Sequence, residues 1–582
     1  MITTLLLPAL LSQSYFTDDG GPKAVELLVD LVDGTSDQER GALEQKIGHR
    51  LVLNSIHAAD EDFYLTQVAD LEAEEILAIL RKDPRVEHAE PNFLFSIPEN
   101  EDPAPSPPTA PTPGDTKPND PLYPSQWSFK MIDVESAWQK SQGQGVVVAV
   151  IDTGVAFEDY KRFRRVEDLS GTEFVTGYDF IHDTDHPNDD HGHGTHVAGT
   201  IAQTTNNKLG VAGIAPKAKI MPLKVLSASG SGTAGDIADA IRFAADEGAQ
   251  VINMSLGGGM RSLVMESAVA YARKKGVVVV CAAGNASRGK VEYPAAYPGA
   301  FAVSSVGPSG KLAYYSSWGK ELAIAAPGGD KQEGGDQGAI LQNTIEPNRV
   351  ATTNLYLAFQ GTSMATPHVA GVAALIMGTG VTNPDQVEAV LKSSAVPHGT
   401  ESWDERYGHG VLHAGRAVEL ASAMNSGWFR FFAAVVAVVL MLVRWRDKLP
   451  FKALTAAAVI IAGAGLPFVS ALGGPFLMLG QPLPAWDLYL FGAGGHGSLL
   501  VMSALPMLAL SVSLLHFRNL RGLLIGLSVG WAIHLGASAY GMPSDILGVP
   551  GMAGWLDRLW LLVNAGALMF LASLIARVSA KR

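Results

Sequence analysis

The sequence predicts an α/β domain built on a parallel sheet, with a small α+β unit before it and apolar helices after it. Three observations support this prediction. Short β-branched runs alternate with helix-forming stretches between residues 127 and 423, as in sheets whose parallel strands are joined by helices. Residues 23–98 contain a separate set of strand and helix patterns. From residue 428 the chain has no glutamate, 11 basic and 4 acidic residues, and mostly Leu, Ala, Val and Gly.

Composition excludes several classes of protein. The chain has 582 residues, of which 47% are hydrophobic, so it is not disordered throughout. Its formal net charge of −14 argues against nucleic acid as the main partner. The single cysteine, Cys281, excludes an intrachain disulfide and every zinc or iron–sulfur site that needs several cysteines.

The first 119 residues divide into three regions. Met1–Ser12 is apolar and lacks a basic n-region, so residues 1–22 are either a secretory signal or a hydrophobic terminus. Residues 23–98 have the element order βαββαβ, which suits a ferredoxin-like α+β fold. Residues 99–119 are rich in proline and have no apolar periodicity, which predicts an exposed, semi-rigid linker.

Residues 120–423 are predicted to form the main domain. Its elements follow from local periodicity, because runs of four to seven apolar residues favour buried strands and apolar spacing of three and four favours helices. The predicted strands are Val146–Ile151, Lys219–Val225, Val251–Met254, Val277–Ala282 and Ala300–Val306, and the predicted helices are Gly235–Glu247, Ser262–Lys275 and Ser363–Met377.

Residues 428–577 predict a membrane region of about five helices. The spans are Trp428–Val443, Ala453–Leu472, Gly497–Leu515, Gly522–Tyr540 and Leu559–Ala576. Nine of the 11 basic residues follow the first, third and fifth spans, which the positive-inside rule assigns to the cytoplasm. The soluble domains are then expected on the periplasmic or extracellular face of the cytoplasmic membrane. Buried helices of a soluble domain are the alternative.

Three segments contain residues with the chemistry of a catalytic site. Asp152 ends a buried strand and is followed by a glycine turn, His193 lies in a histidine-rich run that opens a small-residue helix, and Ser363 opens another apolar helix. A carboxylate can orient a histidine, and a helix N-terminus can stabilise developing negative charge. Each feature alone also has a purely structural explanation; their joint occurrence does not.

These segments resemble the three signatures of the subtilisin-like serine proteases, the subtilases (peptidase family S8). They read DTGV at 152–155, HGTHVAGT at 193–200 and GTSMATPHVAG at 361–371, in the order Asp, His, Ser, and AAGN at 282–285 resembles a fourth family element. The resemblance implies a subtilisin-like fold for residues 120–423. It also implies that residues 23–98 are an inhibitory, chaperone-like propeptide, so the enzyme would be made as a zymogen.

The resemblance also implies the catalytic roles. Ser363 would be the nucleophile, His193 the general base and then acid, and Asp152 the carboxylate that orients the imidazole. Asn285 would donate its side-chain amide to the oxyanion, together with the backbone N–H of Ser363. His196 is expected to pack inside the helix.

Substrate and metal sites follow from the same resemblance. Substrate would bind as an added β-strand, and the residues implied are Ser255, Leu256, Gly257, Ala283, Gly284 and Glu292. Glu292 falls where the family places the floor of the P1 pocket, which predicts Lys or Arg at P1, unless its side chain faces solvent. Asp120, Asp168 and Asn207 resemble the side-chain ligands of a structural calcium site. The acidic run of Asp179, Asp183, Asp185 and Asp189 is expected to be a solvated loop.

The sequence therefore predicts a membrane-anchored serine endopeptidase that cleaves proteins through an acyl-enzyme and needs no catalytic cofactor. Its expected partners are protein or peptide substrates, its own propeptide and the membrane, with no nucleic acid. Two rival functions stay open at this point. One is an inactive, peptide-binding relative, and the other is a transporter or sensor whose protease is regulatory, suggested by Asp487, His496 and His534 near the spans.

Overall fold

A computed structural model gives the structure of the chain. It describes residues 24–59, 61–97, 118–346, 355–444, 452–466, 483–486, 502–540 and 555–580. The hydrophobic N-terminus, almost all of the linker, and the Asp487 and His496 predictions lie outside these residues. Within the described ranges the chain divides into two compact units. One takes in residues up to 132, 142–375 and 395–412, and the other takes in 133–141, 376–394 and 413 onward.

The first unit begins with a small antiparallel sheet. Its elements are β1 (Ala24–Leu31), α1 (Asp37–Ile47), β2 (Val52–Leu53), β3 (Phe63–Ala69), α2 (Ala73–Leu80), β4 (Val86–Pro91) and β5 (Leu94–Ser96). The four strands β1 to β4 are ordered β2-β3-β1-β4, and both helices follow the predicted βαββαβ order. Ser36 and Glu39 form a capping box that fixes the start of α1. The element order expected for this stretch is present.

A parallel sheet forms the centre of the same unit. Its strands are β6 (Val147–Asp152), β7 (Glu173–Phe174), β8 (Tyr178–Asp179), β9 (Lys219–Lys224), β11 (Val251–Met254), β12 (Val278–Ala282), β13 (Ala300–Val306) and β14 (Leu322–Pro327). The order is β14-β13-β12-β11-β6-β9-β7, with β8 also paired to β9, and every pairing is parallel. Because β6 and β11 to β14 are almost wholly buried, they read as mainly apolar runs in the sequence.

Helices and two small ribbons complete this unit. They are α3 (Trp127–Met131), α5 (His193–Ala202), β10 (Ser231–Thr233), α6 (Ala234–Asp246), α7 (Leu263–Lys274), β15 (Ile340–Thr344), β16 (Leu355–Phe359) and α8 (Thr362–Met377). Strands β15 and β16 pair with each other, and β10 pairs antiparallel with β5. Thr233 and Ser262 cap the N-termini of α6 and α7 with their side chains.

The second unit is helical. Its helices are α4 (Val134–Trp138), α9 (Pro384–Ser394), α10 (Ala414–Arg444), α11 (Lys452–Gly463), α12 (Leu505–Leu514), α13 (Arg521–Tyr540) and α14 (Trp555–Ala580). Helices α11 and α13 pack closely through small residues. A Cβ on Gly526 would lie 2.5 Å from the carbonyl oxygen of Thr455, and one on Gly530 would lie 2.7 Å from Ala462 Cβ. Such small-residue contacts are typical of helices that associate in membranes.

Two of the described helices are long and apolar enough to cross a membrane. They cover Arg518–Ala539 and Arg558–Ser579, near the fourth and fifth predicted spans. The described apolar stretches of the other three, Arg430–Val443, Lys452–Gly463 and Leu505–Leu514, fall short of 18 residues, so five spans exceed what the described residues support. Helix α14 exposes large apolar side chains, among them Val563 and Phe570 at 60% and 64% exposure. A continuous apolar face of this kind indicates contact with something other than water.

Candidate active site

The first component of the site is a buried carboxylate–imidazole pair. Asp152 is the last residue of β6 and His193 is the first residue of α5. Their side chains are 0% and 1% exposed, and Asp152 Oδ1 lies 2.7 Å from His193 Nδ1. Gly194 can follow His193 only as glycine, because a Cβ there would lie 2.2 Å from the carbonyl oxygen of Gly154. The bond to Asp152 fixes the orientation of the imidazole through Nδ1.

A second carboxylate, that of Asp189, holds the N-terminus of α5 in place. Its oxygens accept hydrogen bonds from the backbone N–H groups of His191, Gly192 and Thr195 at 2.8–3.0 Å. Thr153 Oγ1 also donates to Asp189, at 2.9 Å, and accepts from the backbone N–H of Gly194 at the same distance. Asp189 therefore ties the end of β6 to the helix that begins with His193.

The expectation of a solvated acidic loop is wrong for half of its members. Asp189 and Asp179 are 1% and 4% exposed, whereas Asp183 and Asp185 are exposed. Asp179 is buried because it accepts two backbone N–H groups, from Ile181 and His182. Asp179 ends β8, and Asp189 lies just before α5. At both positions the backbone has N–H groups that need an acceptor.

Ser363 is the second residue of α8 and is fully buried. Its Oγ donates to the carbonyl of Ser255 at 3.2 Å, and Ser255 Oγ donates to the carbonyl of Ser363 at 2.8 Å. Ser255 directly follows β11, the sheet neighbour of β6. The carboxyl ends of two adjacent parallel strands thus carry Asp152 and the segment bonded to Ser363, and ligand sites of open α/β sheets lie at this edge.

Asn285 lies beside the start of the same helix. Its Oδ1 accepts hydrogen bonds from the backbone N–H and the Oγ1 of Thr362, at 2.9 and 2.8 Å. Thr362 Oγ1 also accepts from the backbone N–H of Gly284 at 3.2 Å. Because the amide oxygen accepts both hydrogen bonds from Thr362, the orientation of the Asn285 amide group is fixed. Thr362 directly precedes Ser363 in the chain. Thr362 plays this positioning part without having been singled out in the sequence.

An extended segment of the same chain occupies the groove next to these residues. Ser96 exchanges two backbone hydrogen bonds with Gly257, at 3.0 and 2.9 Å, and β5 pairs with β10 on its other side. Phe95, 1% exposed, packs so closely on Gly258 that a Cβ there would lie 2.7 Å from its ring. Gly257, one of the predicted substrate residues, thus pairs with an extended segment of the same chain as it would with an added β-strand.

Glu292 lies against both sides of the predicted P1 pocket. A Cβ on Gly257 would be 2.9 Å from its Oε2, and a Cβ on Gly284 would be 2.5 Å from its Cδ. Its backbone N–H donates to the carbonyl of Ala283 at 3.0 Å. The side chain is 12% exposed, so the alternative of a carboxylate turned to solvent does not hold. Glu292 Oε1 accepts from Arg288 Nη2 at 2.9 Å.

The three predicted metal ligands lie together. Asp120 accepts the backbone N–H groups of Asn206 and Asn207, and Asn207 Nδ2 donates to Asp168 Oδ1 at 2.7 Å. Burial raises the pKa of Asp168 to about 6 and also raises that of Asp120. A bound divalent cation would offset the cost of burying these carboxylates, so the donor set fits a hard cation. The amide oxygen of Asn207 accepts from the N–H of Leu209.

Two further buried groups support the site. Lys224, 1% exposed, donates to Asp190 Oδ1 at 2.7 Å and to the carbonyls of Thr153 and Leu226 at 2.8 Å. Lys224 was not among the predicted site residues, although a lysine at the end of a buried strand indicates a buried charge that needs a partner. His196, a residue of α5, is fully buried, as expected. This burial lowers the pKa of its imidazole to about 3.

The structure thus brings Asp152 to His193, Ser363 to Ser255, and Asn285 to the residue before Ser363, all at one edge of the sheet. It also brings the predicted substrate and metal residues into two separate clusters. The residues that sequence reasoning missed are Asp189, Thr362, Lys224 and Arg288. Each of them contacts a predicted site residue or a residue next to one in the sequence.

Comparisons with known proteins identify the family of this chain. The model of the subtilase family (Peptidase_S8) matches residues 143–410. The chain is 36% identical over 379 residues to a thermophilic serine proteinase of Bacillus sp. (strain AK1), covering 65% of this chain and 84% of that protein. It is 40% identical over 279 residues to thermitase of Thermoactinomyces vulgaris, covering 48% and 91%. A crystal structure of fervidolysin from Fervidobacterium pennivorans, described as a keratinolytic enzyme related to subtilisin, is 25% identical with a TM-score of 0.55, covering 68% of this chain and 61% of that one.

Proposed function

This chain belongs to the subtilase family of serine endopeptidases, and on that premise we propose that Asp152, His193 and Ser363 are its catalytic triad. The buried 2.7 Å contact between Asp152 and His193, at the sheet edge next to the Ser255–Ser363 hydrogen bonds, is the observation that carries the proposal. A buried imidazole bonded to a buried carboxylate is the arrangement that general-base catalysis by histidine requires.

The proposed mechanism assigns one step to each group. His193 removes the proton from Ser363 Oγ as this oxygen attacks the peptide carbonyl, and Asp152 stabilises the imidazolium that forms. The negative charge on the tetrahedral intermediate is stabilised by the Asn285 amide N–H and by the backbone N–H of Ser363 at the start of α8. His193 then returns the proton to the leaving amine, and water releases the acyl group from Ser363 by the same steps in reverse.

Loss of the hydroxyl group tests this assignment. Ser363→Ala should abolish peptidase activity on a denatured protein substrate while leaving the melting temperature close to that of wild type. The control is Ser393→Ala, which changes an exposed serine of α9 and should keep full activity. Full activity in Ser363→Ala would overturn the proposed triad.

Residues 23–98 are proposed to be an inhibitory propeptide. The segment Leu94–Ser96 fills the groove in which substrate would bind. Glu90 accepts hydrogen bonds from Ser262 Oγ and from the backbone N–H of Leu263 and Val264, which satisfies the N-terminus of α7. Asn92 Oδ1 accepts from the N–H of Gly235 in the first turn of α6. A segment that caps two helices of the enzyme and fills its groove would both assist folding and block substrate.

The proposed P1 preference is for lysine or arginine, because the Glu292 carboxylate lies between Gly257 and Gly284. Peptides that differ only in having Arg, Phe or Leu at P1 test this preference. Glu292→Gln should lower kcat/KM for the Arg peptide and leave the Phe and Leu peptides nearly unchanged. An unaltered profile would contradict the assignment.

A structural calcium ion is proposed at Asp120, Asp168 and Asn207. When bound, Ca²⁺ would supply positive charge that offsets the repulsion between the two buried carboxylates. It would take no part in the catalytic steps. Asp120 directly follows the predicted proline-rich linker. The ion would therefore fasten the start of the predicted catalytic domain to the loop at residues 206–211.

The C-terminal helices are proposed to anchor the protease in the cytoplasmic membrane. Helices α13 and α14 are long and apolar enough to span it, and the exposed apolar face of α14 suits contact with lipid. We propose a multi-pass arrangement with the catalytic domain on the periplasmic or extracellular face and the C-terminus in the cytoplasm, from the placement of the basic residues. Protease accessibility of epitope tags at residue 118 and at the C-terminus, in intact cells, tests this orientation.

A further inference from the structure

The Arg288–Glu292 pair stands out among the ion pairs of the described residues because it lies at the proposed P1 pocket. The Arg288 side chain is 48% exposed and that of Glu292 is 12% exposed. The two Glu292 oxygens have different surroundings. Oε2 faces Gly257 and Gly284, while Oε1 accepts from Arg288 Nη2 at 2.9 Å. The arginine therefore holds one edge of the carboxylate, and the other edge faces the pocket.

We infer that Arg288 is an internal counter-ion that sets the balance between basic and apolar P1 residues. The inference rests on the proposed role of Glu292. With Arg288 in place, the charge of the carboxylate is largely neutralised, so an apolar P1 side chain can enter without leaving a buried, unpaired charge. A basic P1 side chain competes with Arg288 for the same carboxylate.

The geometry lets Arg288 give way. Its guanidinium is about half exposed and already partly hydrated, so its movement into water gives up only the exposed ion pair. The Glu292 side chain is 12% exposed and has less room to move. The backbone of Arg288 is fixed, since its carbonyl accepts from the N–H of Trp318 at 3.0 Å. The backbone of Glu292 is fixed by Ala283. Exchange of partners at Glu292 thus needs only a change of the Arg288 side-chain rotamer.

Removal of Arg288 should therefore act on the two substrate classes in opposite directions. In Arg288→Gln the Glu292 carboxylate is unpaired, so a basic P1 residue gains a partner without competition and an apolar P1 residue must bury a charge. We expect the ratio of kcat/KM for an Arg-P1 peptide to that for the matching Leu-P1 peptide to rise by about three- to fivefold, the effect of one partly exposed ion pair.

The experiment measures this ratio for full-length wild type, Arg288→Gln, Glu292→Gln and the double variant, at low salt and at about 0.5 M salt. A ratio for one enzyme preparation does not depend on how much of it is active. Lys320→Gln is the matched control, because it removes an exposed positive charge whose nearest carboxylate is Glu321 rather than Glu292. The control should keep the wild-type ratio.

The outcomes separate the two proposals. The inference predicts a raised ratio in Arg288→Gln, a smaller rise at high salt, and no effect of Arg288→Gln in the Glu292→Gln background. If Glu292→Gln lowers the ratio but Arg288→Gln leaves it unchanged, the role of Arg288 is refuted and that of Glu292 stands. If Glu292→Gln leaves the ratio unchanged, both are refuted.

Discussion

The contact between the N-terminal sheet and α6 buries carboxylates that should make it sensitive to pH. Asp30 in β1 and Asp239 in α6 are 4% and 3% exposed. Burial raises the pKa of each from 3.8 to about 7. Arg242 lies beside these carboxylates: its guanidinium is 2.6 Å from Glu61 and 3.6 Å from Asp30. Asn54 donates to Asp239 at 2.7 Å.

The sign and size of the effect follow from these shifts. A carboxyl group whose pKa is raised in the folded contact holds a proton there that it gives up when the surfaces separate. The stability of the contact is therefore complete below about pH 4 and is lost as pH rises through about 7. A rise of about 3 in pKa corresponds to roughly 4 kcal/mol per carboxyl. The two shifts are not independent, because Arg242 acts on both Asp30 and Asp239. We therefore expect the pair together to change the free energy of opening by roughly 4 kcal/mol, which is about 10³-fold in the opening equilibrium.

Hydrogen exchange measures this opening. In full-length Ser363→Ala, which cannot cleave itself under the proposed mechanism, the β1 amides should lose protection between about pH 4 and about pH 7, after correction for intrinsic exchange. Asp30→Asn keeps the shape and removes one titrating group, so it should flatten the profile. Asp37→Asn, at an 89% exposed side chain of the same sheet-and-helix region, is the control. Protection that does not change with pH in the parent, or an unaltered fall in Asp30→Asn, would refute the reasoning.

Three further predictions concern the site. Asn285→Ala should lower kcat about 10²- to 10³-fold with little change in KM, measured by steady-state kinetics, because the lost donor acts on the transition state; a change in KM alone would contradict this. Asp189→Asn should lower both the melting temperature and kcat, since the backbone donors of α5 would then face an amide; an unchanged kcat would show that Asp189 does not position His193. A calcium chelator should lower the melting temperature of wild type, and Asp168→Asn should remove that sensitivity; equal sensitivity of the two proteins would place the ion elsewhere.

The sequence was sufficient for the fold class and for the residues that occur in contiguous motifs. Parallel strands buried on both faces are visible as apolar runs, and their carboxyl ends are where Asp152 and the Ser255 segment lie. The family resemblance predicts Glu292 at the floor of the P1 pocket, because Glu292 lies seven residues after Asn285.

The remaining features depend on contacts that sequence spacing does not encode. Asp189 looked like part of a solvated acidic run, because nothing local shows that five donors from the segment after β6 and the start of α5 converge on it. Arg288 is four residues before Glu292 in an irregular segment, where an i,i+4 spacing predicts no contact. Hydropathy predicts five C-terminal spans, whereas the described residues contain two helices that are long and apolar enough to cross a membrane.

The most direct test of the central claim is covalent labelling with a fluorophosphonate, followed by mapping of the modified residue by mass spectrometry. Such a reagent reacts with a serine whose hydroxyl is activated by an adjacent base. We predict a single adduct on Ser363 in the active enzyme, strongly reduced in His193→Ala and in Asp152→Asn. An adduct on another serine, or undiminished labelling of Ser363 without His193, would contradict the proposed triad.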